Sequence, residues 1–157
     1  VEGVPAIRKV APEAPIFLHD DDLRLYEAVE LQARAFNLPS IGPLPAPTDS
    51  MAHGEELIFE ECRLQIRHAP GHAPGHVILY SQEEGVAFVG DVVFLGAIGR
   101  ADLVGGDFHQ LMESIRSQVL SLPDEVRLLT GHGPETTVGW ERRTNPFLVG
   151  QYGGERV

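Results

Sequence analysis

The chain has 157 residues, 43% hydrophobic and 22% charged, which suits one soluble globular domain with a sizeable core. Its formal net charge is −11, Lys9 is its one lysine and no basic run is longer than Arg142-Arg143, so nucleic acid and anionic membranes are poor partners. No apolar run nears the roughly 20 residues that span a bilayer; the opening VEGVPAIRKVAPE carries no signal-peptide core; and Cys62 is the only cysteine, so a reducing, cytoplasmic location is expected.

In chain order, the chain opens with a short apolar piece that reads as helical, and APIFLH (14–19) reads as a short buried strand. Asp20, Asp21 and Asp22 are N-cap residue types before one continuous helix, in which Leu23, Tyr26, Ala28, Leu31, Ala35 and Leu38 recur at helical spacing. PSIGPLPAPTDSM (39–51) is too rich in Pro and Gly for regular structure and reads as a surface loop. ELIFEECRLQIRHA alternates apolar and polar residues, as one strand or a hairpin would. HVILYSQEEGVAFVGD is a hairpin turning at Ser81–Gly85. Residues 107–122 form a helix with Phe108, Leu111, Ile115, Val119 and Leu122 on one face. EVRLLTGHGP is a strand ending in a Gly-rich turn, TTVGWERRTNPFLVG a terminal helical turn and tail, and GQYGGERV a frayed end. No repeat or linker divides the chain, so residues 1–157 are expected to form a single α/β domain.

His68, His72 and His76 stand four residues apart, a spacing that would align them on a helix. Pro70, Gly71, Pro74 and Gly75 between them exclude a helix, so the segment is a loop joining two strands. Two other apolar strands end the same way, GVAFVGD at Asp91 and VRLLTGHG at His132. Three strand ends thus each present a candidate ligand, His72, Asp91 and His132, with glycine alongside for a sharp turn and open access. Imidazole and carboxylate together suit zinc, iron or manganese. A lone Asp after a strand is more often a turn residue, and a lone His in a Gly-rich turn is usually not functional. The conjunction of three alike carries the inference. His76, opening the next strand, is expected to support the ligands through a hydrogen bond, and His19, His53, His68 and His109 to be surface residues.

These motifs resemble the metallo-β-lactamase superfamily, in its short glyoxalase II-like branch. HAPGHAPGHVILY is similar to the family's third motif, GDVVF to its fourth and TGHGPETT to its fifth, and GAIGRADLVGGD and ERRTNPFL resemble short bacterial members. The resemblance implies an αββα sandwich and a two-metal hydrolase of anionic thioesters, with His72 and His132 on different metals and Asp91 bridging them. It places Arg100 near a substrate-contacting basic position, although a salt bridge within its own loop is the competing role. Asp102 stands where relatives often carry an aromatic residue, and the extra helical domain of larger glyoxalase II enzymes is not expected, so glutathione itself is not implied.

The family's His-x-His-x-Asp-His loop, which supplies four more ligands, does not occur in these residues. In relatives a stretch like VEGVPAIRK follows that loop directly. The domain is therefore expected to be incomplete at its N-terminal side, to bind metal weakly or not at all, and to lack hydrolase activity on its own. Two other readings follow. One is a persulfide dioxygenase-like iron oxygenase, which shares a Gly-Arg-x-Asp segment like that at Gly99-Arg100-Ala101-Asp102. The other is a non-catalytic domain whose open sheet edge and apolar face invite a partner, such as a second copy of the chain.

Overall fold

The computed structural model describes residues 3–40 and 42–150, so the expected frayed tail, Gly150 aside, lies outside the described residues. The chain divides into two compact units at the Met51–Ala52 junction. No helix among the described residues is long and apolar enough to cross a membrane.

The first unit opens with helix α1 (Val4–Val10), which carries proline in its first turn and Arg8 and Lys9 in its last. Strand β1 (Phe17–Leu18) follows, shorter and less buried than expected. The three aspartates do not cap the helix. They form a 3-10 turn (Asp20–Asp22) that is itself capped by His19, whose Nδ1 accepts from the Asp21 N–H at 3.2 Å. The expected continuous helix is two, α2 (Leu23–Glu27) and α3 (Val29–Ala35), broken at Ala28. The Gln32 side chain donates to the Leu25 carbonyl at 2.7 Å, which satisfies a group the break would otherwise leave open. Tyr26 is buried and its hydroxyl donates to the Pro45 carbonyl at 2.7 Å; burial pushes the phenol above its ordinary pKa. The Pro-rich loop ends in strand β2 (Asp49–Ser50), which pairs parallel with β1.

The second unit is built on a six-stranded sheet. Strands β3 (Glu56–Phe59) and β4 (Cys62–His68) form the first hairpin, with Glu60 at φ 54° in its turn. Strands β5 (Val77–Ser81) and β6 (Val86–Gly90) form the second. A small hairpin, β7 (Val93–Phe94) with β8 (Ala97–Ile98), follows directly. Then come helix α4 (Phe108–Ser114), strand β9 (Arg127–Thr130), strand β10 (Thr136–Thr137) and helix α5 (Val138–Thr144). The sheet order is β10-β9-β6-β5-β4-β3, with β6 and β9 parallel and every other pair antiparallel. Strand β5 lies antiparallel to both β4 and β6, so β4, β6 and β9 all run the same way and end on the same edge.

Ile78, Tyr80, Ala87, Val89 and Leu128 project from one face of the sheet into a core completed by Leu111, Ile115, Val119, Leu122, Val138 and Leu148. The helix face foreseen over residues 107–122 is buried from Leu111 on, but Phe108 stays half exposed. After Ser114 the helix widens into a π turn (Ile115–Val119), closed by the Leu120 N–H on the Ile115 carbonyl at 2.9 Å. The wider i→i+5 turn lets residues spaced by four, 111, 115 and 119, keep facing the sheet. Full burial of each such side chain contributes about 1.5–3 kcal/mol.

Ile115→Ala is expected to lower stability by about 2–5 kcal/mol in urea unfolding, because Ile115 is wholly buried. Phe108→Ala is expected to stay near the roughly 0.5 kcal/mol of ordinary surface changes.

Candidate metal centre

The shared direction of β4, β6 and β9 delivers His72, Asp91 and His132 to one edge of the sheet. His72 sits in the loop 69–76 between β4 and β5. The Ala69 N–H donates to the His76 carbonyl at 2.7 Å and closes the loop's base. Helix α4 holds its crown. The Asp107 N–H donates to the Gly71 carbonyl at 2.8 Å, and the Ser114 hydroxyl donates to the Pro70 carbonyl at 2.7 Å. Gly71 has φ 125°, and a Cβ there would lie 2.2 Å from the Leu111 nitrogen, so only glycine fits.

The His72 Nδ1 lies 2.8 Å from the Arg100 carbonyl oxygen. A carbonyl only accepts, so Nδ1 carries the proton and Nε2 presents its lone pair. That Nε2 is 3.5 Å from Asp91 Oδ2. Asp91 follows Gly90, which has φ 50°, and its backbone N–H donates to His76 Nε2 at 3.2 Å. A Cβ at Gly90 would stand 2.7 Å from that same nitrogen.

His132 lies in the turn after β9. The Gly131 N–H donates to the Gly90 carbonyl at 2.8 Å, and the Thr130 hydroxyl donates to the His132 carbonyl at 2.8 Å. His132 Nε2 is 3.6 Å from the same Asp91 Oδ2, and its ring leans on Phe94 with centroids 6.1 Å apart. The His132 side chain is 80% exposed, against 23% for His72 and 27% for Asp91, so the site is closed on one flank and open on the other.

Both nitrogen–oxygen separations exceed the 2.7–3.2 Å of a hydrogen bond. They match the edge of a tetrahedral coordination shell, about 3.3 Å for ligand bonds of roughly 2.0–2.1 Å. Each imidazole with the Asp91 carboxylate thus has the donor types and spacing of two ligands on one divalent transition metal, while the three donors do not all lie within 4.8 Å of one another.

Of the two roles open to Arg100, the structure shows the salt bridge within its own loop: the side chain is turned onto Asp102, with Nε and Nη2 donating to its two carboxylate oxygens at 2.9 and 3.0 Å. That bond holds the Asp102 carboxyl below the usual carboxylate range. What Arg100 gives the centre is its main-chain carbonyl. His68 is not an ordinary surface residue. It is half buried, and its Nε2–H donates to the Pro74 carbonyl at 2.8 Å across the loop. His19 is likewise half buried as a cap, whereas His53 and His109 are exposed. Sequence reasoning missed Ser114 and Asp107, whose roles depend on packing between elements distant in the chain, and Thr130, whose hydroxyl acts within its own turn.

Residues 3–132 match the sequence profile of the metallo-beta-lactamase superfamily. The chain is 42% identical over 130 residues to hydroxyacylglutathione hydrolase GloC of Haemophilus influenzae, covering 83% of this chain and 61% of that protein. It is 37% identical over 139 residues to the probable metallo-hydrolase YqgX of Bacillus subtilis, covering 88% of this chain and 65% of that one. The chain therefore spans somewhat under two thirds of the length of these curated relatives. Among solved structures it superposes on TTHA1623, crystallised in a di-iron-bound form, with a TM-score of 0.86 and 44% identity, over 94% of this chain and 71% of that one. Profile, relatives and fold agree that this chain belongs to the metallo-beta-lactamase superfamily.

Proposed function

We propose that His72, Asp91 and His132 are ligands of a metal-dependent hydrolase centre that cleaves thioesters of anionic thiols. The observation that carries this reading is the position of Asp91 Oδ2, 3.5 Å from one imidazole Nε2 and 3.6 Å from another. One iron would draw both imidazoles and the carboxylate into a single shell; here Asp91 Oδ2 is near each imidazole but the three donors do not all lie within 4.8 Å of one another, which favours the two-metal hydrolase reading. A divalent zinc, iron or manganese ion bound there supplies Lewis-acid polarisation of a carbonyl and acidifies a bound water. The chain's residues provide the rest. Arg100's carbonyl accepts from His72 Nδ1, which leaves Nε2 as the nitrogen that faces Asp91. His76 holds the Asp91 main chain, and Thr130 holds that of His132. A thiolate needs no strong acid to leave, since a thiol's pKa is about 8.5. The 42% identity to a hydroxyacylglutathione hydrolase supports a thioester as substrate.

Three donors, one of them shared, do not fill two shells of about four ligands each. These 157 residues contain no His-x-His-x-Asp-His loop to supply the others. Zinc titration of the chain against a chromophoric chelator is accordingly expected to show weak binding, without thioester turnover. Carried in frame behind such a segment, the same residues are expected to release thiol from an anionic thioester, read with a thiol-reactive dye. Asp91→Asn should then lower the rate by more than the roughly 10–100-fold that loss of an outer partner costs. Oxygen uptake on a persulfide, with no thiol release from a thioester, would sink the hydrolase reading.

Gly131→Ala separates the centre from the fold. A Cβ there would lie 2.1 Å from Asp91 Oδ1, the mobile end of a side chain, and Gly131 itself is exposed. The carboxylate should turn away, so metal affinity should drop at least about tenfold, while the urea midpoint moves little. Arg100→Ala tests substrate contact. Raised KM at unchanged kcat would mean the guanidinium exchanges Asp102 for a substrate carboxylate; unchanged KM would leave it as the loop's own salt bridge.

A further inference from the structure

Glu141, in α5, is wholly buried, with 0% of its surface exposed, and the chemistry above does not use it. A carboxylate out of water is costly unless charge or hydrogen bonds hold it. Among the described residues no cation pairs with it. Its neighbours Arg142 and Arg143 both turn to Asp124, at 3.1 and 3.2 Å. Three donors converge on it instead. The Thr136 hydroxyl donates to Oε1 at 2.5 Å, and the Asn145 amide and the Gly96 N–H donate to Oε2 at 2.8 and 3.0 Å. Asn145 also donates to the Ala97 carbonyl at 3.0 Å.

The origin of these donors is informative. Gly96 and Ala97 lie at the tip of the β7–β8 hairpin, which starts two residues after Asp91. The hairpin runs on to Gly99, whose N–H donates to the Val92 carbonyl at 3.2 Å, and to Arg100, whose carbonyl orients His72. A Cβ at Gly99 would lie 1.8 Å from the Asp91 carbonyl oxygen, so this return strand presses on the Asp91 backbone. Thr136 closes the turn that holds His132, four residues on.

We propose that Glu141 is a positioning residue of the metal centre. Its two carboxylate oxygens tie the hairpin that follows Asp91 to the turn that carries His132, and so set the spacing of all three ligands. The chemical role rests on the metal-centre reading, but the geometric link does not need a metal. Only a carboxylate accepts on both sides at once. In Glu141→Gln one side becomes a donor, so Thr136 must turn its hydroxyl round or the Gly96 N–H loses its partner.

The test uses the full chain, first without metal. In Glu141→Gln the backbone amide resonances of Asp91, Gly96 and His132 are expected to shift together, and Co2+ affinity, read from the cobalt visible bands, to fall roughly tenfold. Val119→Ala is the control for mere destabilisation, since Val119 is a wholly buried core residue outside this network; it should leave both readouts alone. Thr136→Val removes one donor and keeps the shape. It should move His132 more than Gly96, and it decides the matter if Glu141→Gln does not fold. If Glu141→Gln merely matches Val119→Ala in stability, with the three resonances unmoved, Glu141 is a core residue and the proposal falls. If the wild-type chain holds too little cobalt to show bands, as its three donors allow, the metal-free resonances decide Glu141 alone.

Discussion

Strands β4, β6 and β9 run in one direction, and the geometry of the site follows from that alignment. Adjacent strands lie about 4.8 Å apart. Strands β6 and β9 are neighbours, so Asp91 and His132 need only one-residue and two-residue extensions to face each other. Strand β4 is separated from β6 by β5, about twice as far, so His72 cannot meet Asp91 from a tight turn. It reaches across on the loop 69–76. A loop that long is held only if something packs on it, and α4 does so through Asp107, Leu111 and Ser114. The helix that seals the core is thus also the clamp on the most distant ligand.

Three glycines mark where backbone and side chains compete for the same space, each for its own reason. Gly71 yields to the backbone of α4, Gly90 to the His76 ring and Gly131 to the Asp91 carboxylate. At Gly71 and Gly90 the positive φ adds a second requirement that favours glycine. At Gly131 the backbone is ordinary and space alone decides. The site is therefore carved by missing side chains as much as it is built from present ones.

Much of this could be read directly. The β5–β6 hairpin, the strand ending at His132 and the buried face of residues 111–122 are signalled by periods that burial enforces. Proline and glycine at 70, 71, 74 and 75 exclude a helix on local grounds alone. The break at Ala28 is different, because alanine is a strong helix former and nothing local demands a stop. Gln32 makes the break affordable by reaching back to Leu25. His19 displaces three aspartates as cap for a similar reason: any side-chain acceptor at the right dihedral can serve, so composition alone does not choose among them. The role of His68 depends on where Pro74 returns in space, and that of Ser114 on a contact with Pro70 across 44 residues.

Glu141 is the residue about which local sequence says least: its neighbours Arg142 and Arg143 face Asp124 while Glu141 itself is buried. An apolar residue at this position could pack as stably, since buried polar groups seldom gain over hydrophobic ones of the same volume. Dispersion contacts, however, are non-directional and let a two-residue hairpin slide on a helix. Hydrogen bonds from Gly96, Asn145 and Thr136 are directional and fix where the hairpin and the turn come to rest. A site whose ligands come from three separate loops needs that kind of constraint, because sheet packing fixes the strands but not the residues beyond their ends.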